Sequence, residues 1–258
     1  MAREKLSHSQ LAYMLIDFVV YPFSSHGGIN DRELVASSFG HHIASGQPIQ
    51  IAGFIGQGGK DHLGKGDIEL LERYERLQKE ITVYYSFGTE VNLIGADMHG
   101  ISNGIEDRGY LALMQENAQA RGLNWVDLSS LYRDKSLSLP NPDQVRLIMD
   151  NQTDLIYLAW RDNLPPEIRA VLIKQAGRHN IIDGDSLFRA FYYFVMRKQE
   201  ETILIPEWQN NVFVINGSRD IAEWTFPQSI GQMYWLDVRD GGRKARNIKL
   251  PPPWFRND

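Results

Sequence analysis

The sequence contains no cysteine in 258 residues. This absence excludes disulfide bonds, thiolate nucleophiles, cysteine zinc sites and iron–sulfur clusters. No apolar run approaches the roughly 18 residues of a membrane-spanning helix. There is no excess of basic residues either, because the formal net charge is -5. Nothing in the overall charge therefore favours binding to nucleic acid or to an anionic membrane.

The first apolar segment, from Ser7 to about Tyr21, also lacks the features of a signal peptide. Asp17 interrupts it, and no small-residue cleavage site follows. Its apolar residues recur at helical spacing until Pro22, which predicts an amphipathic first helix. With 43% hydrophobic and 23% charged residues, the composition is typical of a soluble globular protein. We expect a cytoplasmic protein.

Strand-like and helix-like segments alternate along the first half of the chain. PIQIAGFIG is short, apolar and β-branched, and it leads into the glycine-rich loop QGGKDHLGKGD. The amphipathic segment IELLERYERLQKEI predicts a helix, and EVNLIGA predicts a second strand. This alternation is typical of βαβ units around a parallel sheet.

The second half begins with helical segments and ends with strand-like ones. DSLFRAFYYFVMRKQEE predicts a long helix. We interpret the apolar stripe on one face of this helix as part of the hydrophobic core; it consists of Phe188, Phe191, Tyr192 and Val195. ETILIPEW, NVFVING, IGQMYWLDV and RNIKLPPPW predict short strands, with antiparallel pairing favoured. The fold prediction is therefore α/β: a single Rossmann-like domain over residues 1–258, with a mostly parallel central sheet and a β-rich C-terminal elaboration.

Polar side chains follow both predicted strands of the first half. Lys60, His62 and Lys65 lie in the glycine-rich loop, and Asp97 and His99 directly follow EVNLIGA. In open parallel sheets, ligands bind outside the carboxyl ends of the strands. We therefore expect these side chains to converge on one crevice. An imidazole beside a carboxylate favours general acid–base catalysis, and a lysine can hold an anionic group.

Each cluster also has a structural interpretation. Glycine and lysine are common in solvated loops, and this loop lacks the Gly-Lys-Ser/Thr of a phosphate loop. Asp97 can cap the next helix, and His99 can be a hydrogen-bonded turn residue. A metal site made of His62, Asp97 and His99 lacks tight ligand spacing. We expect no metal, haem or flavin cofactor.

A set of short motifs occurs in a fixed order in this half of the chain. They are PIQIAGFIG, Lys60, Gly66-Asp67 before IELLERYERL, the turn Tyr85-Ser86-Phe87-Gly88, and EVNLIGAD ending at Asp97. Together they resemble the isocyanide (isonitrile) synthases, although Phe87 stands where that family has proline. The resemblance covers about a third of the chain. Members of the family form isonitriles from tyrosine or tryptophan in secondary metabolism.

The resemblance implies an enzyme that condenses the amine of an aromatic amino acid with a small carbonyl compound such as a sugar phosphate. Such an enzyme needs an acid–base pair, a cation for an anionic group and an aromatic-lined pocket. On this basis we assign catalytic roles to Lys60, Asp97 and His99, and substrate-binding roles to Lys65, His62 and Tyr85.

Other function classes stay open at this point. A Pictet–Spengler cyclase, which makes a β-carboline from tryptophan and an aldehyde, needs a carboxylate base, and Glu90 is the candidate. A nucleotide-binding, transferase-type α/β protein would hold phosphate with the glycine-rich loop. A non-catalytic module would bind a partner through the aromatic C-terminal half. The expected partners are small molecules, without nucleic acid or membrane, and a homodimer is compatible with the sequence.

Overall fold

The computed structural model describes residues 6–17, 29, 31–56, 60–103, 105–106, 108–176, 184–216 and 230–235. Its strands are β1 (Ile49–Gly56), β2 (Thr89–Ala96), β3 (Asn124–Asp127), β4 (Val212–Asn216) and β5 (Gln232–Trp235). Its first helices are α1 (His8–Leu15), α2 (Arg32–Ser45), α3 (Lys65–Tyr84), α4 (Asp97–Asn103), α5 (Tyr110–Gln119) and α6 (Leu128–Asp134). The later helices are α7 (Pro142–Asp150), α8 (Leu155–Leu158), which continues as a π-helical turn (Ala159–Asn163), α9 (Pro166–Ala176) and α10 (Ser186–Trp208).

The strands form one five-stranded sheet in the order β3-β2-β1-β4-β5. Every neighbouring pair is parallel. The chain runs outward from β1 through β2 to β3 and then returns to place β4 on the other side of β1. This order confirms the predicted α/β, Rossmann-like fold with a parallel central sheet. The strand order reverses between β1 and β4, and in such sheets the crevice at this point is the usual ligand site.

The C-terminal end differs from the sequence prediction in two respects. NVFVING and IGQMYWLDV do contain strands, but β4 and β5 pair in parallel within the central sheet, so the antiparallel prediction is wrong. ETILIPEW is the end of α10 and not a strand. The helix that begins at Ser186 continues through this segment, despite the strand propensity of its β-branched residues. RNIKLPPPW lies outside the described residues.

Apolar side chains cover both faces of the sheet. On one face, Ile49 and Ile51 are buried with residues of α1, α2, α3 and α5. On the other face, Ala52 packs with Phe213 of β4 and with residues of α6. A separate aromatic cluster joins α7, the π-helical turn, α9 and α10, and it includes the predicted stripe of Phe188, Phe191, Tyr192 and Val195. The core interpretation of that stripe is confirmed. In the described ranges, no helix is both long and apolar enough to cross a membrane.

Gly53 is a position in β1 where the fold leaves no room for a side chain. A Cβ atom built there would lie 2.0 Å from the hydroxyl oxygen of Tyr74, which is fully buried in α3. We expect Gly53→Ala to lower the free energy of unfolding by about 1–3 kcal/mol through overpacking, measured by urea denaturation. The control is Gly56→Ala at the end of the same strand, where a Cβ has no atom within 4 Å. Equal losses in both variants would contradict the steric explanation.

Candidate functional site

Asp97 follows the carboxyl end of β2 and contacts the starts of two helices. The strand passes into α4 without a loop, so that Ala96 ends β2 and Asp97 begins the helix. The Oδ1 atom of Asp97 accepts hydrogen bonds from the backbone N–H groups of Met98, at 2.9 Å, and Ser129, at 3.0 Å. Since Ser129 lies in the first turn of α6, this carboxylate holds two helix starts together. These contacts match the capping interpretation of Asp97.

His99 follows on α4 and meets two charged residues of α10. Its Nε2 atom lies 2.6 Å from Oε1 of Glu200 and 3.1 Å from Nη1 of Arg197. Arg197 and Glu200 also form an ion pair with each other. The side chains of His99, Arg197 and Glu200 are only 13%, 7% and 1% exposed. We call these three residues the His99 cluster.

The shorter contact of His99 assigns its tautomer. A guanidinium group can only donate hydrogen bonds, and a carboxylate can only accept them. At 2.6 Å from Oε1 of Glu200, Nε2 of His99 carries the hydrogen that it donates to that oxygen, so its 3.1 Å approach to Nη1 of Arg197 is not a hydrogen bond in this tautomer. In the neutral ring, the lone pair is then on Nδ1. A carboxylate that orients an imidazole in this way is the usual support of a histidine base.

Burial and charge act in opposite directions on the ion pair. Burial favours a higher pKa for Glu200, but the charge of Arg197 and the contacts with His99 hold that pKa below its ordinary value. Burial favours a lower pKa for Arg197, but the charge of Glu200 keeps it above the ordinary value. Both groups are therefore charged at neutral pH, and their charges cancel beside His99.

Aromatic rings enclose His99. Phe54, near the carboxyl end of β1, stacks on the imidazole with ring centroids 5.7 Å apart. Tyr193 of α10 makes an edge contact with the same ring at 6.0 Å. The guanidinium carbon of Arg197 lies 5.1 Å from the Phe54 centroid. The imidazole of His99 is therefore packed between an aromatic strand residue and an aromatic helix residue.

Tyr132 of α6 adds a buried hydroxyl group to this region. The residue is 1% exposed, and within the described chain its hydroxyl oxygen makes no hydrogen bond of good geometry. Burial raises the pKa of Tyr132, and the nearby charge of Glu200 adds to this effect. The hydroxyl therefore stays protonated at neutral pH. The hydroxyl group faces Glu200 and helps to hold the pKa of that carboxylate below its ordinary value.

Lys60 follows the carboxyl end of β1, at the edge of the sheet where β2 delivers Asp97 and His99. Its Nζ atom lies 3.7 Å from Oδ2 of Asp67, and its side chain is half exposed. Asp67 is buried and also accepts a hydrogen bond from the hydroxyl group of Tyr110 at 2.7 Å. The topology thus places Lys60 after β1 and Asp97 after β2, the neighbouring strand. The role of Lys60 stays a prediction.

His62 and Lys65 are much more exposed than Lys60. His62 Nδ1 lies 2.7 Å from Oδ1 of Asp61, and both side chains are largely in solvent. Lys65 Nζ lies 3.5 Å from Oε1 of Glu69, one helical turn along α3. These are surface pairs of the kind that contribute little to stability. The structure does not bring His62 or Lys65 into contact with the His99 cluster, and their substrate-binding roles stay predictions.

Glu90 and Tyr85 lie at the opposite, amino end of the sheet. Glu90 is the second residue of β2, so the strand separates it from His99 by roughly 20 Å at about 3.3 Å per residue. Tyr85 is buried and donates a hydrogen bond to the carbonyl oxygen of Gln47 at 2.9 Å. The shared crevice predicted from the sequence therefore does not include these two residues.

The possible metal ligands are engaged separately. In the part of the chain that the structure describes, no three histidine, aspartate or glutamate side chains are grouped closely enough to hold a metal ion. His62 pairs with Asp61, His99 with Glu200, and Asp97 with backbone amides.

Comparison with known proteins gives a likeness of fold. No family model and no curated protein matches the sequence. The PvcA protein from Pseudomonas aeruginosa has a similar structure, with a TM-score of 0.56, 12% identity, and coverage of 89% of this chain and 85% of PvcA. The tyrosyl-tRNA synthetase from Archaeoglobus fulgidus, complexed with L-tyrosine, gives a TM-score of 0.47, 10% identity, and coverage of 88% and 64%. At 12% identity, the likeness to PvcA shows a shared fold.

Arg197 and Glu200 are not among the residues predicted from the sequence, although a signal for them is present. Tyr193, Arg197 and Glu200 are spaced i, i+4 and i+7, which places them on one face of α10. The preceding turns of this helix are aromatic and buried. Arginine and glutamate are rarely buried unless they are paired. A charged pair on one face of a long aromatic helix therefore indicates a buried polar site.

Proposed function

We propose that this protein is an enzyme that condenses the amine of an aromatic amino acid with a carbonyl compound and, like the isocyanide synthases, forms an isonitrile. The observation that supports this most directly is the His99 cluster. It combines an imidazole oriented by a carboxylate with aromatic walls, at the carboxyl edge of a parallel sheet. The resemblance of the ordered motifs to the isocyanide synthases supports the isonitrile-forming version of this chemistry.

The first step of such a reaction depends on proton transfer. The amine nitrogen attacks the carbonyl carbon, and the adduct loses a proton from nitrogen and gains one on oxygen to give a carbinolamine. Loss of water then gives an imine. In this proposal Nδ1 of His99 accepts a proton from the amine nitrogen and passes it to the oxygen to give the carbinolamine. It then moves the second nitrogen proton to the hydroxyl group as water leaves, while Glu200 holds the ring. General acid–base catalysis of this kind contributes roughly 10²–10⁴-fold in rate.

The neighbouring side chains have complementary roles in the proposal. Phe54 and Tyr193 contact the aromatic ring of the amino acid, and the hydroxyl group of Tyr132 helps to keep Glu200 charged. Lys60 is half exposed and close to one carboxylate, so it can turn toward an anionic group of the co-substrate. Arg197 is already paired with Glu200, and its role is to keep that carboxylate charged.

The other classes have weaker support. The Pictet–Spengler cyclase needs Glu90 as its base, and Glu90 lies roughly 20 Å along β2 from the His99 cluster. The nucleotide-binding class depends on the glycine-rich loop, whose lysines pair with Asp67 and Glu69.

Binding of L-tyrosine or L-tryptophan, measured by calorimetry, tests the proposal. We expect a dissociation constant of about 1 μM–1 mM, the range of typical Michaelis constants, and much weaker binding of L-leucine.

Phe54→Leu should weaken binding of the aromatic amino acid about tenfold, since it removes the aromatic ring and keeps an apolar side chain. Phe87→Leu is the matched control, because Phe87 is exposed and lies after α3, at the amino end of the sheet. Equal binding of L-leucine would contradict the proposal, and binding of ATP alone would favour the nucleotide-binding class.

A further inference from the structure

A concave region lies at the amino end of the sheet, and none of its lining residues belongs to the His99 cluster. It is a cavity of about 420 Å³ lined by His42, Gln50, Asn92, Val126, Trp208 and residues 209–211. We call it the amino-end cavity. Gln50 is the second residue of β1, whereas the rings that contact His99 include Phe54, further along the same strand. The volume falls within the usual range of small-molecule sites.

A row of amide side chains crosses three strands at this cavity. The Nδ2 atom of Asn124 donates to Oδ1 of Asn92 at 3.1 Å. The Nδ2 atom of Asn92 donates to Oε1 of Gln50 at 2.9 Å. The Nε2 atom of Gln50 then donates to Oε2 of Glu90 at 3.0 Å. Each amide plane is therefore held by its neighbour, and the row presents a preformed polar surface.

The same face of the sheet is apolar immediately beyond the row. Ala52 and Ile94, the next residues of β1 and β2 on this face, are fully buried. Gln50 and Asn92 are half-buried, whereas Asn124 and Glu90 at the two ends of the row are exposed. The surface of the sheet therefore changes from apolar to polar at the cavity. Asn92 uses only one amide hydrogen and one carbonyl lone pair within the row, so one of each is available to a ligand.

The charges around the cavity disfavour an anionic ligand, and the carboxylate of Glu90 in the row is exposed and already bonded to Gln50. Burial lowers the pKa of His42, and its Nε2 atom lies 3.0 Å from the carbonyl oxygen of Asn210. His42 is therefore neutral at physiological pH. Among the described residues that line the cavity, none is a lysine or an arginine. A phosphate or carboxylate would enter without a cation to compensate the loss of its hydration.

The chemical groups that line the cavity match hydroxyl groups in particular. An amide offers both donors and acceptors, and a hydroxyl group also does both. Trp208 adds a flat apolar surface, and its ring packs against Phe213 with centroids 5.6 Å apart. Amides around an aromatic ring suit a molecule with an apolar face and a hydroxylated rim. We propose that the amino-end cavity binds an uncharged, polyhydroxylated small molecule of monosaccharide size.

The test uses D-glucose, D-galactose and D-ribose as probes, with uridine and glucose 6-phosphate for comparison. Saturation-transfer NMR, followed by titration, should show binding of at least one neutral sugar at concentrations up to about 20 mM. Glucose 6-phosphate should bind more weakly than glucose, because the lining has no cation. The proposal is overturned if no sugar binds, if uridine alone binds, or if the phosphate ester binds more tightly than its parent sugar.

Two variants assign the binding to this cavity. Asn92→Leu removes the central amide and should weaken sugar binding about tenfold or more. Asn117→Leu is the matched control, because Asn117 lies on α5 and donates to Leu113, outside the cavity. If Asn92→Leu does not fold, Val126→Phe fills the cavity without breaking an amide hydrogen bond and should abolish sugar binding. Binding that survives in the folded Asn92→Leu or Val126→Phe protein overturns the proposal, and unchanged tyrosine binding in these variants separates this site from the His99 cluster.

Discussion

His99→Gln is expected to lower the rate of the amine–carbonyl condensation by roughly 10²–10⁴-fold. Glutamine keeps an N–H donor that can reach Glu200, but it has no nitrogen that accepts and returns a proton. The fold should therefore survive, with a melting temperature within a few degrees of the wild-type value. Turnover and melting temperature are measured on the same preparations.

The matched control for this prediction is His8→Gln. His8 is also a histidine, but it is exposed at the start of α1 and has no proposed role in the site. This variant should keep both rate and stability. A stable His99→Gln protein with unchanged turnover would rule out the catalytic role of His99. A protein that loses its melting transition would instead indicate that His99 is structural.

The parallel pairing of the first two strands can be predicted from the sequence. PIQIAGFIG and EVNLIGA are apolar, and the helical segment between them is long enough for a crossover connection. The direction of β4 and β5 could not be predicted in this way. It depends on the path of the chain through α7–α10, which brings β4 back beside β1. Short apolar segments carry no local signal for that path.

Only half of the candidate site can be predicted from the sequence, for the same reason. Asp97 and His99 lie after β2, as a strand followed by polar residues indicates. The partner of His99 lies 101 residues further along the chain, and a local pattern does not specify a contact at that distance. The separation of Glu90 from His99, in contrast, can be predicted from the sequence. Glu90 lies at the start of β2 and His99 follows its end, and the two ends of a strand lie on opposite edges of the sheet.

Glu200→Leu is expected to have the largest effect on stability. The substitution removes the carboxylate that compensates the buried charge of Arg197, and loss of one partner of a buried ion pair costs about 3–5 kcal/mol. Urea denaturation at neutral pH measures this loss. Glu201→Leu is the matched control, because Glu201 pairs with Lys198 on the same helix at the same i, i+3 spacing but is partly exposed. Its cost should stay below about 1 kcal/mol.

The dependence of this effect on pH tests whether the pair is charged. The groups that face Glu200 are Arg197, His99 and Tyr132, and together they hold its pKa in the folded protein below the ordinary value of 4.5. Its contribution to stability is therefore complete above that value and is lost as the pH falls through the folded pKa. The difference in unfolding free energy between wild type and Glu200→Gln should be largest near neutral pH and should shrink below about pH 4.5. A difference that persists unchanged into acid would mean that hydrogen bonds of an uncharged Glu200, and not its charge, hold Arg197 and His99 in place.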